Sequence, residues 1–135
     1  MEQKVSEEVA ELEFQRFVEE MDLDVNESEM DENDLKDFLN EKKKIIRAIQ
    51  RGSLVVTEEG LPVFTPTRNV DATPITFYEP TGASLLAMDK RKKNEDFSKF
   101  YTVLADITKT NAGVFAELKM SDLKVCIAIG TLFLA

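Results

Sequence analysis

The chain of 135 residues contains no histidine, no tryptophan and a single cysteine, Cys126. One cysteine cannot form an intramolecular disulfide, and without histidine the usual zinc sites cannot be assembled. The lack of histidine also removes the commonest general base, so catalysis would have to rest on carboxylates, lysine or tyrosine. These absences lead us to expect no metal site, no cofactor, no catalytic residues and no enzymatic activity.

Positive charge is scarce in the first part of the chain. Residues 1–40 contain fifteen acidic and three basic residues, a net charge of −12. Residues 41–135 contain eleven acidic and fourteen basic residues, a net charge of +3, which gives the whole chain its formal charge of −9. This asymmetry is typical of an acidic arm attached to a near-neutral body. Because nucleic-acid-binding proteins normally carry the opposite sign, we expect no nucleic-acid partner.

Long hydrophobic runs are also absent. The longest spans residues 125–135 and is interrupted by Gly130 and Thr131, so it is shorter than the roughly 20 apolar residues that a membrane-spanning helix requires. The N-terminus is acidic, whereas a secretion signal is basic and then apolar. We therefore expect a soluble, cytoplasmic protein without a membrane partner.

Helical periodicity dominates the N-terminal half. Apolar residues at one-face spacing predict a helix within residues 1–21, and the acid-rich residues that follow indicate a mobile linker. The residues that define this first stripe are Phe14, Phe17, Val18 and Met21. A second helix has Asp31 or Asn33 as its expected N-cap and Gly52 as its left-handed stop. Its stripe consists of Leu35, Phe38, Leu39, Ile45, Ile46 and Ile49. We expect an acidic N-terminal helix and linker over residues 1–33 and a compact domain over residues 34–135.

A short β-rich stretch follows the second helix. Residues 54–57 and 61–65 are rich in β-branched and aromatic residues and are joined by a turn with Gly60 at the expected positive-φ position, which predicts a hairpin. Residues 75–78 predict a third strand. Pro62 has no amide N–H to donate, so its strand is expected at the edge of the sheet.

The C-terminal half returns to helical patterns, over residues 85–93, from Asn94 or Asp96 to Ile107, and from 122 to 134 with Ser121 as the expected N-cap. The predicted fold class is α+β, mostly helical, with a small antiparallel hairpin or three-stranded sheet and an apolar C-terminal helix. That last helix is apolar on nearly every side. It is therefore either the central core helix or a helix that meets a partner, and both hold if the chain forms oligomers.

Four segments occur in a distinctive order: "GSLVVTEEGLPVFTP", "ITFYEPTGASLLAMD", a helix ending near "LADIT", and "ELKMSDLKVCIAIGTLFL". Over roughly residues 50–135 this order resembles the tail assembly chaperones of Mu-like contractile-tailed phages and related prophages. In that family a strand and a Glu-Pro-Thr-Gly sequence lead into a helix, and a later Leu-x-x-x-Asp segment opens the last apolar helix. The matching residues are Glu79, Pro80, Thr81 and Gly82, and then Leu118, Asp122 and Phe133.

The resemblance implies a non-enzymatic chaperone in the host bacterial cytoplasm. Its expected partner is the tape measure protein, which it keeps soluble during tail tube assembly; the tail tube protein and a second copy of the chain are further candidate partners. The alternatives are a structural subunit of a phage tail or contractile injection particle, and a small acidic regulator. The candidate partner-binding residues are Phe97, Phe100, Tyr101, Leu123, Ile127, Leu132 and Phe133. The competing interpretation is that all seven are ordinary core residues.

Overall fold

The computed structural model describes residues 5–23, 25–68, 73–84 and 96–133, with the backbone alone described at 96–99. The predicted helix over residues 85–93 lies outside the described residues. The helices are α1 (Glu7–Glu20), α2 (Glu32–Arg51), α3 (Asp96–Thr108), α4 (Ala112–Ala116) and α5 (Met120–Phe133), with a 3-10 helix at Glu27–Glu29. The strands β1 (Leu54–Val56), β2 (Pro62–Phe64) and β3 (Ile75–Thr76) form one antiparallel sheet in that order. The predicted fold class, a mostly helical α+β protein with a small sheet, is confirmed.

Side-chain N-caps begin α1 and α2, and a glycine in the left-handed conformation ends α2. The Ser6 hydroxyl accepts a hydrogen bond from the Val9 N–H at 3.2 Å, and the Asp31 carboxylate accepts one from the Asp34 N–H at 2.8 Å. Each bond satisfies an amide that has no partner within the helix. Gly52 ends α2 with φ of 81°, in the left-handed region that favours glycine. The predicted cap at Asp31 and the predicted stop at Gly52 are confirmed.

The turn between β1 and β2 packs against the end of α1. Gly60 has φ of 86°, as predicted, and a Cβ placed on it would lie 2.3 Å from the Cβ of Glu20. The position therefore requires glycine for two separate reasons, its backbone conformation and the close approach of the helix.

The predicted edge position of the Pro62 strand is wrong, because β2 lies between β1 and β3. Pro62 is the first residue of its strand. Its carbonyl accepts a hydrogen bond from the Phe77 N–H at 2.9 Å, beyond the last residue of β3. The missing N–H therefore falls at the end of the β2–β3 ladder, a place where a sheet tolerates proline.

Helix α5 lies at the centre of the core. Cys126, Ala128 and Ile129 are fully buried, and α5 packs against α2 and α3. Gly130 permits close packing, since a Cβ there would lie 2.7 Å from Leu104 Cδ2. The sequence left two roles open for this helix, a central core helix or a helix that meets a partner. Its burial supports the role of central core helix. The helix begins at Met120, so Ser121 lies inside it and the predicted N-cap at Ser121 is wrong.

Helix α1 belongs to the same core. Phe14 and Phe17 are 2% and 1% exposed, and their rings contact Phe38 of α2 and Phe133 of α5, with centroid distances of 6.4 and 5.3 Å. The predicted boundary at residue 33 therefore does not separate an arm from a body. The acidic residues lie mainly on the exposed face of a helix whose other face is buried, and composition alone does not distinguish such a helix from a detached arm.

Arg16 ties α1 to the edge of the sheet. Its guanidinium donates hydrogen bonds to the backbone carbonyls of Val56 at 2.8 Å and Thr57 at 2.5 Å. It also pairs with Glu13 on the same helix. Strand β1 is an edge strand, and an edge carbonyl that already accepts a hydrogen bond is less available to a strand from another chain.

Candidate partner-binding groove

A groove of about 540 Å³ is lined by residues from three segments: the first half of α2, the end of α5 and residues 25–30. We call it the α2–α5 groove. Its apolar lining residues are Val25, Met30, Phe38 and Leu132, and its polar lining residues are Asp34, Asp37, Glu41 and Thr131. Phe38 and Leu132 are buried and form its floor, whereas Asp34, Asp37 and Thr131 are exposed at its rim.

The spacing of the α2 residues explains why acidic and apolar side chains share this groove. Asp34, Asp37, Phe38 and Glu41 lie at i, i+3, i+4 and i+7, which places them on one face of the helix. Phe38 points toward the core, where its ring contacts Phe14. The carboxylates of Asp34 and Asp37 beside it remain at the surface, whereas Glu41 is partly buried, so a helix that contributes to the core also supplies the acidic rim.

The wall formed by residues 25–30 is held in place by side-chain contacts. The Asn26 side chain accepts hydrogen bonds from the Ser28 N–H at 3.2 Å and from the Ser28 hydroxyl at 2.7 Å. Lys42 of α2 lies 4.0 Å from the carboxylate of Glu27 and 3.2 Å from that of Glu11 on α1. One ammonium group of α2 therefore lies close to carboxylates of both α1 and the 3-10 helix.

The charges of the rim are incompletely neutralised. Among the described residues, neither Asp34 nor Asp37 forms an ion pair. Glu41 Oε1 accepts a hydrogen bond from Lys44 at 3.2 Å, while Glu41 Oε2 is shielded from solvent and has no hydrogen-bond partner in the described part of the chain. The Asp34 end of the groove is therefore the more negative end, since Lys44 offsets the charge of Glu41.

The seven predicted partner-binding residues do not form one exposed surface. Leu123 and Leu132 are buried in the core, and Leu132 also forms part of the groove floor. The partly buried residues that pack against the core are Phe100, Tyr101, Ile127 and Phe133. The side chain of Phe97 lies outside the described residues. Of the six whose side chains the structure describes, only Leu132 contributes to the α2–α5 groove.

The predicted partner-binding residues did not include the acidic groove residues Asp34, Asp37 and Glu41, although one sequence pattern pointed to them. Asp34, Asp37 and Glu41 follow the same helical spacing as the predicted apolar residue Phe38. That spacing places acids beside an aromatic residue on α2. It does not indicate that the end of α5 lies opposite, because contacts between distant helices do not follow from local periodicity.

The family-motif residues form an exposed junction that is anchored on α3. Glu79, Thr81 and Gly82 are exposed, and residues 82–84 are helical. The Thr81 N–H donates to the Ser84 hydroxyl oxygen at 3.1 Å, and that hydroxyl donates to the Asp106 carboxylate at 2.5 Å. Among the described residues, no atom lies within 4 Å of a Cβ added at Gly82.

Helix α5 contains two buried side chains of chemically reactive types, Asp122 and Cys126. Asp122 is 3% exposed and accepts hydrogen bonds from the loop after β2. Cys126 is fully buried, and burial, with a smaller contribution from the Asp122 charge, raises the pKa of its thiol well above the usual range. Since the reactive form of cysteine is the thiolate, this thiol is inert in the folded protein.

No protein-family model matches the sequence, and no curated protein sequence or solved structure is significantly similar to it. The resemblance to tail assembly chaperones therefore rests on the motif residues, their order and their spacing. Within the described ranges, no helix combines the length and the apolar content that crossing a membrane requires.

Proposed function

We propose that the chain is a non-enzymatic tail assembly chaperone of a contractile-tailed phage or prophage, which binds the tape measure protein in the bacterial cytoplasm. The observation that carries this proposal is the α2–α5 groove, with its apolar floor and exposed acidic rim. Grooves of this kind accept an apolar face of a partner helix. The Glu79–Gly82 junction and the Leu118–Asp122 spacing support the same family.

The proposed action is to shield apolar surface. A tape measure protein of this family is a long helical protein with apolar stripes, which aggregates when it is free. Each apolar side chain that enters the groove is removed from water, at about 25 cal/mol for each Å² buried. The formal charge of −9 on the chain would also favour dispersion of any complex that keeps a net negative charge, because particles of like charge repel each other.

Co-expression with the tape measure protein of the same genome tests the proposal. We expect the chain to move that protein from the pellet to the soluble fraction and to be captured with it. Thr131→Trp, which places a large side chain at the groove rim, should abolish the effect. Glu58→Gln, in the exposed hairpin turn, should not. Failure of the wild-type chain to solubilise or capture the partner would reject the proposed function.

Mass spectrometry of purified tail particles separates the proposal from its main alternative. A chaperone is expected to be absent from finished tails. A structural subunit of a tail or injection particle would instead be present in many copies, and that result would overturn the chaperone assignment.

A further inference from the structure

We propose that the α2–α5 groove binds a cationic amphipathic helix. An apolar side chain of that helix rests on Phe38 and Leu132, and a Lys or Arg about one turn away reaches Asp34 and Asp37. This inference goes beyond the proposed function because it specifies the chemistry of the docking segment. It applies whether that segment belongs to a tape measure protein or to another partner.

The apolar part of the proposal follows from the lining. Val25 and Met30 are partly buried, and they lie beside the buried side chains of Phe38 and Leu132. Four apolar side chains from three segments thus surround one depression. A methionine in such a wall adapts its shape to different apolar partners, because its unbranched side chain rotates freely.

The charges at the rim select a cation. Asp34 and Asp37 are exposed and unpaired among the described residues, so a partner ammonium or guanidinium group would be their ion-pair partner. An acidic partner would meet like charges there, in a chain whose formal charge is already −9. The attraction is expected to weaken with salt, since exposed charges are screened over about 8 Å at physiological ionic strength.

The charges along α2 also set the orientation of the partner. Beyond Glu41 the same helix surface carries Lys43, Lys44 and Arg47. These residues would repel a second group of cations. The basic residues of the partner are therefore expected over the Asp34 end of the groove, and its apolar or acidic residues over the Arg47 end.

The dimensions of the groove suit a helix. The rim residues of α2 extend from position 34 to position 41, about 10 Å along the helix axis, which corresponds to two turns of a partner helix. Anchors at i and i+3 or i+4 would fit this length. An extended peptide would instead add to an edge strand of the sheet, β1 or β3, and not to a groove lined by two helices.

Three designed 18-residue peptides test the inference against the full chain by fluorescence anisotropy. The first has Leu on one helical face and Lys on the other; the second replaces Lys by Glu, and the third replaces Leu by Ser. We expect the Leu/Lys peptide to bind and each of the other two to bind at least about tenfold more weakly. Equal binding of the Leu/Glu peptide would overturn the proposed preference for cations.

A matched pair of double variants locates the site. Asp34→Asn with Asp37→Asn should weaken binding of the Leu/Lys peptide about three- to tenfold and reduce its salt dependence. Glu58→Gln with Glu59→Gln removes the same charge at the hairpin turn and should leave the affinity within about twofold. An equal loss of affinity in both double variants would show that the peptide is attracted to the net charge of the chain alone. That result would overturn the assignment to the groove. Thermal melting confirms that each variant is folded.

Thr131→Trp provides an independent check, because it fills the groove without changing the charge. Undiminished affinity in this variant would also overturn the assignment.

The test of the groove and the test of the proposed function can fail independently. A chain that binds the Leu/Lys peptide but fails to solubilise the tape measure protein rejects the function alone. A chain whose Asn and Trp variants still solubilise that protein as well as wild type rejects the groove as the docking site.

Discussion

The carboxylate of Asp122 accepts a hydrogen bond from the backbone N–H of Thr67 at 3.1 Å, and the two residues are 55 positions apart in the sequence. The Thr67 hydroxyl donates to the same carboxylate at 3.2 Å, and the Arg68 N–H donates at 2.9 Å. Asp122 lies in the first turn of α5, where the helix dipole favours negative charge. One buried carboxylate therefore fastens the loop after β2 to the start of the central helix.

Asp122→Ala is expected to lower the free energy of unfolding by about 3 kcal/mol, because it leaves the amides of Thr67 and Arg68 without their acceptor. Asp122→Asn should lower the free energy of unfolding by a smaller amount, since the amide oxygen still accepts one hydrogen bond. Urea denaturation measures both changes. Asp37→Asn removes an exposed carboxylate and should change stability by no more than about 0.5 kcal/mol. An Asp122→Ala variant as stable as wild type would show that this carboxylate does not anchor the loop.

Gly60→Ala is expected to destabilise the protein by about 2–4 kcal/mol. The substitution forces alanine into a left-handed conformation and brings its Cβ to 2.3 Å from Glu20 Cβ, so the hairpin must move away from α1. Thermal melting reports the loss.

Gly82→Ala is the matched control for this substitution, since nothing among the described residues lies within 4 Å of its added Cβ. Its stability should stay within about 0.5 kcal/mol of wild type. Comparable losses in the two variants would contradict the close approach at Gly60. A Gly82→Ala chain that is stable but no longer solubilises the tape measure protein would mark the Glu79–Gly82 junction as a second contact surface.

Several features determined by local chemistry were predicted from the sequence, although the N-cap expected at Ser121 was not found. The cap at Asp31, the stop at Gly52 and the positive φ of Gly60 each depend on a few neighbouring residues, and all three are confirmed. The fold class also follows, because helical and strand periodicities differ along the chain.

Features determined by packing between distant segments were not predictable in the same way. Phe17 of α1 meets Phe133 of α5, and this contact makes an acidic helix part of the core. The central position of β2 depends on the pairing of β3 with its free side, which no local pattern specifies. The groove arises from the same cause, since its floor joins Phe38 of α2 to Leu132 of α5.

Phe17→Ala tests whether α1 is part of the core. Phe17 is 1% exposed, and its replacement should lower the free energy of unfolding by about 3–5 kcal/mol through lost burial and a cavity. Leu12→Ala on the same helix is the control, because Leu12 is 66% exposed and should contribute no more than about 0.5 kcal/mol. Equal stability of both variants and wild type, measured by urea denaturation, would indicate a detached arm instead.

Cys126 offers a chemical probe of global unfolding, since it is the only cysteine of the chain. Its thiol is fully buried, and burial followed by the Asp122 charge raises its pKa. We expect iodoacetamide at pH 8 to leave the folded protein unmodified and to alkylate it once denaturant unfolds it, with mass spectrometry as the readout. Rapid alkylation of the folded protein would contradict the buried position of α5.

The same thiol makes stability dependent on alkaline pH. The folded state keeps Cys126 protonated, whereas the unfolded chain loses that proton once the pH exceeds about 8.5, the ordinary pKa of cysteine. Since the unfolded state then binds fewer protons than the folded state, the free energy of unfolding falls as pH rises above that value. Cys126→Ala removes this contribution, so urea denaturation at pH 7.5 and pH 10 should show a smaller decrease for the variant than for wild type. An identical decrease in both would show that the thiol ionises as readily in the folded protein as in the unfolded chain.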